Sequence, residues 1–142
     1  MKTAFKRITP IVAIVLLAVL LLAACEEDVP RLSNIATYNP GAAFSTNFNT
    51  DDPRRQVKCS VIFEVIDELA VEELNEHNYK VRNSTLDVLG ELTMEEITTS
   101  RHLSAIAERI VVRVNADLNA IDSNGESIDL VIRAYFTEFV LN

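Results

Sequence analysis

The chain has 142 residues, with 13 lysines and arginines against 21 acidic residues and a net charge of −8. Setting aside the three basic residues before position 8 leaves 10 basic against 21 acidic side chains, or −11. A surface this acidic repels phosphate backbones and anionic headgroups, which excludes nucleic acid as a partner. The residues after the first two dozen suit one small domain with its own core.

The first 24 residues have the pattern of an export or anchoring segment. Lys2, Lys6 and Arg7 precede an uncharged apolar run over residues 8–24, close to the lower limit of about 17 residues for a membrane-crossing helix. The basic start predicts a cytoplasmic N-terminus and a domain on the far side of the membrane. The residues assigned to this span are Ile8, Pro10, Ile11, Val12, Ile14, Leu16, Leu17, Leu20, Leu21, Leu22 and Ala24.

A lipoprotein signal is the alternative interpretation of the same segment. Leu22-Ala23-Ala24-Cys25 resembles a bacterial lipobox, in which the cysteine is lipidated and the preceding segment is removed. Both interpretations tether the domain to the outer face of the membrane, and Cys25 is a candidate lipidation site. Cys59, the other cysteine, lies in an alternating pattern and is predicted to be a small core residue rather than a disulfide partner.

The chain divides into the anchor at residues 1–25, a polar linker at 26–42 and a domain at 43–142. A short strand is predicted over residues 43–49. A second strand, over residues 57–67, places Val57, Cys59, Val61, Phe63 and Val65 on one face, because strand side chains alternate with a period of two. Turn residues at 51–55 join the two strands, which predicts an antiparallel hairpin.

Two helices and a last strand follow the hairpin. Apolar residues at three- and four-residue steps predict helices over residues 69–92 and 101–121. Thr93 and Glu96 between them have capping-box spacing and predict a short helical turn. The last strand, residues 127–141, carries apolar residues on both faces, which predicts that it is covered on both sides. The order β-β-α-α-β indicates an α/β (α+β) domain with helices packed on a small sheet.

No group of residues indicates catalysis or a cofactor. His77 and His102 have no partner at metal-ligand spacing in the sequence and are interpreted as solvent-facing helix residues. No nucleophile elbow occurs, and the three glycines form no phosphate-binding loop. Glu72 and Glu76 are predicted to form an exposed, solvated helix face rather than a catalytic acid–base pair. The chain is therefore predicted not to be an enzyme and to need neither cofactor nor metal.

The C-terminal strand carries a resemblance to a known family. Residues 134–141, Ala-Tyr-Phe-Thr-Glu-Phe-Val-Leu, resemble the ending of the flagellar basal-body-associated FliL family. Tyr38, Pro40, Phe44 and Asn47 are similar to that family's segment before its first strand, although residues 41–43 lengthen the step from proline to phenylalanine. The order of basic start, span, linker, hairpin, helix pair and final strand also agrees.

The resemblance implies a stomatin/prohibitin-like domain and a single-pass protein of the bacterial cytoplasmic membrane, located at the flagellar basal body. Its expected partners are stator subunits and other copies of itself, assembled as a ring that supports torque, swimming, swarming and chemotaxis. The family keeps its N-terminal helix, which favours a retained span. A surface lipoprotein that binds an extracytoplasmic ligand is the alternative function.

Charge separation within the domain favours a structural role. Arg54, Arg55 and Lys58 concentrate positive charge, and Glu68, Glu72, Glu73 and Glu76 concentrate negative charge. If the two groups lie on opposite sides of the domain, copies can meet head to tail and close into a ring. These residues are therefore the predicted self-association sites.

Overall fold

The computed structural model describes residues 34–98 and 102–142. The predicted membrane span and the candidate lipidation site Cys25 lie outside these residues. Within the two described ranges, no helix combines the length and apolar character needed to cross a bilayer. The described residues form a mixed α+β fold, in which helices pack on one four-stranded antiparallel sheet.

The central strand of the sheet is β3, Gln56–Val65. The alternating residues of β3 are all at most 2% exposed, as their alternation predicted. They line the side of the core that faces the sheet: Val57, Cys59, Val61, Phe63 and Val65. Strand β2, Phe44–Asn47, pairs antiparallel with the first half of β3, from Phe44↔Cys59 to Asn47↔Gln56. The predicted hairpin is therefore confirmed.

A strand that the sequence did not predict lies inside the segment assigned to the linker. This strand, β1, Ala36–Tyr38, pairs antiparallel with the second half of β3. Strand β4 pairs along nearly the whole of β3, so β1 and β2 share the other edge of β3, one after the other. The register changes between them because the loop at residues 39–43 inserts two extra residues relative to β3. The sheet therefore begins before residue 43, where the domain was predicted to start.

Strand β4, Val131–Leu141, is irregular. Its register with β3 shifts twice, which leaves Ile132 and Thr137 without a partner opposite them. Each bulge moves the following side chains to the other face, so Val131 and Ala134 both face the core. The prediction of a strand covered on both sides is wrong: among the described residues the helices cover one face, and the other carries mixed side chains such as Tyr135.

The helical stretch predicted over residues 69–92 is two helices. Helix α1, Glu68–Glu76, is capped by the Asp67 carboxylate, which accepts a hydrogen bond from the Ala70 N–H at 2.8 Å. Helix α2, Asn78–Glu91, follows a break at His77. Asparagine and histidine at the break are poor helix formers. The prediction of one continuous helix was wrong because it followed the apolar pattern across this break.

Two further helices complete the layer. The predicted capping box is confirmed at α3, Met94–Thr98: Thr93 N–H donates to Glu96 Oε2 at 2.8 Å, and Glu96 N–H donates to Thr93 Oγ1 at 3.3 Å. Helix α4, His102–Leu118, contains the β-branched run as predicted, with Ile110 and Val114 fully buried. It ends before the predicted residue 121 because Asn119 adopts a positive φ of 50°.

Helices α2 and α4 are joined by a polar network on their solvent side. Ser84 Oγ donates to Asp117 Oδ2 at 2.6 Å, and Arg113 bridges Asp117 and Asp87 at 3.2 and 3.4 Å. On its other side, α4 holds the start of β4 through Asn115, which donates to the Val131 carbonyl and accepts from the Val131 N–H. Helix α4 is therefore fixed between α2 and the last strand.

Candidate interaction surfaces

The loop between β1 and β2 is held by the first turns of α2. Arg82 donates to the carbonyls of Pro40 and Ala42 at 3.3 and 2.7 Å, and its guanidinium lies 4.6 Å from the centre of the Phe44 ring. Asn78 donates to Pro40 O at 3.3 Å and to the Tyr38 hydroxyl at 2.5 Å. Tyr38, Pro40 and Phe44, which carried part of the resemblance, therefore lie in one packed cluster.

The chemistry of this cluster is structural. Burial raises the pKa of Tyr38, against the opposing effects of the Asn78 hydrogen bond and the nearby Arg82 charge. A phenol with a raised pKa stays protonated at neutral pH and acts as a hydrogen-bonding group rather than as a base. Asn78 therefore helps to hold the loop that residues 41–43 lengthen.

The predicted basic group lies at one end of β3. Arg54 and Arg55 are exposed residues of the β2–β3 turn, and Lys58 is on the uncovered face of β3. The charge of Arg54 is partly balanced because its Nε lies 3.4 Å from Asp52 Oδ1. Arg55 NH1 contacts the Met94 sulfur at 3.5 Å. The three cations thus share one tip of the domain, next to at least one carboxylate.

The predicted acidic group lies at the other end of the same strand. Glu68, Glu72, Glu73 and Glu76 all belong to α1, which begins three residues after β3 ends. A strand of 10 residues spans about 33 Å at 3.3 Å per residue. The β2–β3 turn and the start of α1 therefore lie at opposite ends of β3.

The structure groups His77 with carboxylates that sequence spacing had not connected to it. One potential ligand atom each from Glu73, Glu76 and His77 lies within 4.8 Å of the others. His77 Nδ1 is 3.4 Å from Glu73 Oε1 and 3.1 Å from Glu73 O. The prediction that His77 has no partner at metal-ligand spacing is therefore wrong. His102 is also not simply solvent-facing, because its ring centre lies 5.9 Å from that of Phe139.

Cys59 is a core residue, as predicted. It is fully buried on β3, and burial together with the Glu138 charge raises the pKa of its thiol to about 12. A thiol with that pKa is protonated at neutral pH and is a poor nucleophile. Cys59 therefore contributes packing rather than reactivity.

A groove between α4 and the outer edge of β4 is the surface that sequence reasoning missed. It is open, has a volume of about 590 Å³ and is mostly apolar. Helix α4 contributes Leu103, Ala107 and Val111, and β4 contributes the stretch from Ile132 to Phe136. A second depression continues it along α4 towards Asn119. Hydropathy patterns gave no signal of it, because the groove is lined by two separate elements of the chain.

The described domain is an α+β module whose distinctive features are an open apolar groove, an unpaired sheet edge and separated charges. Residues 37–141 match the family of the flagellar basal body-associated protein FliL. This match spans every described strand and helix, with only Ala36 of β1 outside it. The chain belongs to the FliL family, a structural accessory family of the flagellum, and is a flagellar basal body-associated protein. A comparison with curated proteins gives no match.

Proposed function

We propose that this protein is a membrane-anchored accessory of the flagellar motor that contacts stator units and supports torque generation. Residues 8–24 cross the cytoplasmic membrane with the N-terminus inside, and the domain, of stomatin/prohibitin-like type, lies outside. The observation that carries the proposal is the family match over residues 37–141. The open groove and charged ends support a role in protein–protein contact.

A deletion strain tests the motor role. We expect reduced swimming in liquid and reduced swarming on viscous medium, with both restored by the intact gene expressed from a second site. Counts of flagella per cell serve as the control, because loss of filaments would also stop motility. Normal motility on both media would contradict the proposal.

Stator contact is tested by affinity isolation from membranes. The full chain, tagged at the C-terminus and solubilised in mild detergent, is expected to retain stator subunits. A tagged, unrelated single-pass protein expressed at the same level is the control. Equal stator recovery with both proteins would contradict the proposed partner.

The proposal includes self-association through the charged ends of the domain. The basic tip, Arg54, Arg55 and Lys58, faces the acidic α1 residues of the next copy, and opposite charges guide such contacts. Replacing Arg54 and Arg55 by glutamate is expected to weaken self-association in sedimentation experiments. The single variants Arg54→Glu and Lys80→Glu change the charge by the same amount, and Lys80 lies outside both charged ends. We expect Lys80→Glu to weaken self-association less than Arg54→Glu does. Equal weakening of self-association by Arg54→Glu and Lys80→Glu would contradict contact through the charged ends.

A surface lipoprotein with an extracytoplasmic ligand is the second candidate, favoured by the lipobox-like sequence Leu22-Ala23-Ala24-Cys25. Mass spectrometry of the mature N-terminus separates the two. An intact Met1 supports the retained span, and a diacylated Cys25 supports the lipoprotein. Cys25→Ser is the matched variant, because it removes the lipidation site and leaves the apolar run unchanged.

A further inference from the structure

Three potential metal ligands converge at the end of α1. One donor atom each from Glu73, Glu76 and His77 lies within 4.8 Å of the others, because residues three and four positions apart share one face of a helix. Donor atoms bound to a zinc ion at about 2.0–2.2 Å lie roughly 3–3.6 Å from one another. The side chains of Glu73 and His77 are 46% and 32% exposed, so they have room to rotate onto one ion.

The ring of His77 is held by the backbone of its own helix. His77 Nδ1 lies 3.1 Å from Glu73 O and 3.4 Å from Glu73 Oε1. A carbonyl oxygen and an ionised carboxylate only accept hydrogen bonds, so Nδ1 carries the proton and Nε2 of the neutral ring keeps its lone pair. Metal-binding histidines almost always donate from their second ring nitrogen to a carbonyl or carboxylate in this way. The hydrogen bond therefore leaves Nε2 available to a metal ion.

The end of α1 also carries negative charge that the chain does not balance. The last turn of α1 contains no basic residue, and a helix has partial negative charge at its C-terminal end. Glu76 and Lys80 would form an i,i+4 pair in one continuous helix, but the break at His77 interrupts it. Within residues 34–98 and 102–142, Glu76 forms no ion pair. A cation is therefore the ligand that the electrostatics of this helix end favour.

The donor set identifies the class of ion. Calcium and magnesium prefer oxygen ligands, whereas an imidazole nitrogen suits zinc, copper, iron and nickel. The two carboxylates balance the two positive charges of such an ion. Three protein donors leave a tetrahedral ion one position for water. The combination of one histidine and two glutamates thus favours a divalent transition metal over the alkaline-earth ions.

We infer that Glu73, Glu76 and His77 bind one divalent transition-metal ion, of which Zn²⁺ is the closest fit. Zn²⁺ takes histidine and carboxylate ligands and has no geometric preference from its d electrons, which suits three donors from one helix end. Since His77 ends α1 and precedes α2, the ion holds the junction between the two helices. The site depends neither on the motor role nor on the self-association proposed above.

Calorimetric titration of the full chain in detergent with Zn²⁺ tests the site, after purification through a tag that contains no histidine. His77→Ala is expected to bind Zn²⁺ about tenfold more weakly than the wild type, or weaker still. His102→Ala is the matched control, because His102 is the other of the two histidines and lies on α4. It is expected to keep the wild-type affinity. Equal affinities of His77→Ala and the wild type would overturn the inference.

A second pair of variants tests the site without altering the helix junction. Glu76→Gln removes one ligand charge at nearly constant shape, and Glu72→Gln makes the same change on α1 outside the three ligands. A ligand that binds only the folded state raises its stability. Zn²⁺ is therefore expected to raise the unfolding temperature of Glu72→Gln as much as that of the wild type, and that of Glu76→Gln less.

Magnesium separates a metal site from general screening of the acidic helix. Mg²⁺ at the same concentration is expected to leave the unfolding temperature of the wild type unchanged. Equal shifts with Zn²⁺ and Mg²⁺, or equal Zn²⁺ shifts in Glu76→Gln and Glu72→Gln, would contradict the site. The deletion strain reports motility and the purified chain reports metal binding, so the two proposals fail separately.

Discussion

Strands β3 and β4 are paired with each other along most of their length, yet their surroundings differ. Strand β3 is paired on both edges, and its alternating residues from Val57 to Val65 are fully buried. Within residues 34–98 and 102–142, strand β4 has one free edge, two bulges and exposed apolar side chains such as Ile132 and Tyr135. The buried contacts that stabilise the fold are therefore concentrated in β3, whereas β4 leaves apolar surface exposed.

The largest expected effect lies in β3. Phe63 is fully buried and its ring centre is 6.3 Å from that of Tyr38. Phe63→Ala is expected to lower the free energy of unfolding by about 3–5 kcal/mol, because it leaves a core cavity. Phe136→Ala on β4 removes a half-buried ring and should cost less. Urea titration followed by circular dichroism measures both, and equal losses would contradict the contrast between the strands.

The link between α4 and β4 ranks second. The Asn115 side chain pairs with both the N–H and the carbonyl of Val131, at 2.9 and 2.8 Å in a buried position. Asn115→Ala leaves both backbone groups without a partner and is expected to cost about 2–4 kcal/mol. Asn83→Ala, on the exposed face of α2, is the control. Similar unfolding curves for the two variants would contradict this role.

The same chemical change on each strand sharpens the comparison. Val61→Thr places a hydroxyl in the core and is expected to cost about 1–3 kcal/mol. Val140→Thr places it on the exposed side of β4 and is expected to change stability by less than about 0.5 kcal/mol. Urea midpoints of the two variants, measured side by side, check the prediction. A cost at Val140 equal to that at Val61 would show that β4 is covered on both faces.

The capping box of α3 gives an effect of similar or smaller size that depends on pH. The Thr93 backbone N–H lowers the pKa of Glu96, with Arg109 adding to the shift. A carboxyl with a lowered folded-state pKa stabilises the fold above its unfolded pKa, and the contribution is lost as pH falls through the folded value. Glu96→Gln is expected to cost about 1 kcal/mol or less at pH 7.

The cost of Glu96→Gln should disappear in acid, where the wild-type carboxyl is also protonated. Unfolding curves at pH 7 and at successively lower pH check this. Glu72→Gln, at an exposed carboxylate of α1, is the control for a general loss of charge. A cost at Glu96 that is independent of pH would contradict the account of the cap.

Regular features of the domain were predictable from the sequence. The alternation from Val57 to Val65 identified a buried face because β3 has no bulge of its own, and the spacing of Thr93 and Glu96 identified the cap. The chain's membership of the FliL family was also correctly recognised from the residues around Tyr135. Each of these signals is local, so the sequence is enough to reveal it.

The remaining features depend on contacts between distant segments. Strand β1 has three residues before a Pro40-Gly41 turn, and only its pairing with β3 makes it a strand. The groove is lined by α4 and β4 together, and hydropathy does not record where two separate elements meet. Such features require the packed structure, and the candidate contact surfaces are among them. His77 is an exception, because it lies four residues after Glu73 and helical spacing alone could have placed the two side chains together.

The most direct measurement is the motility of strains that carry single changes in the chromosomal gene. Val112→Glu alters the groove beside β4, and Ile121→Glu makes the same kind of change at a residue of similar exposure, 70% against 64%, outside both the groove and α1. With equal protein levels in the membrane, soft-agar expansion is expected to fall for Val112→Glu and to stay at the wild-type rate for Ile121→Glu. Equal expansion of both strains would contradict the proposal that the groove beside β4 contacts another protein.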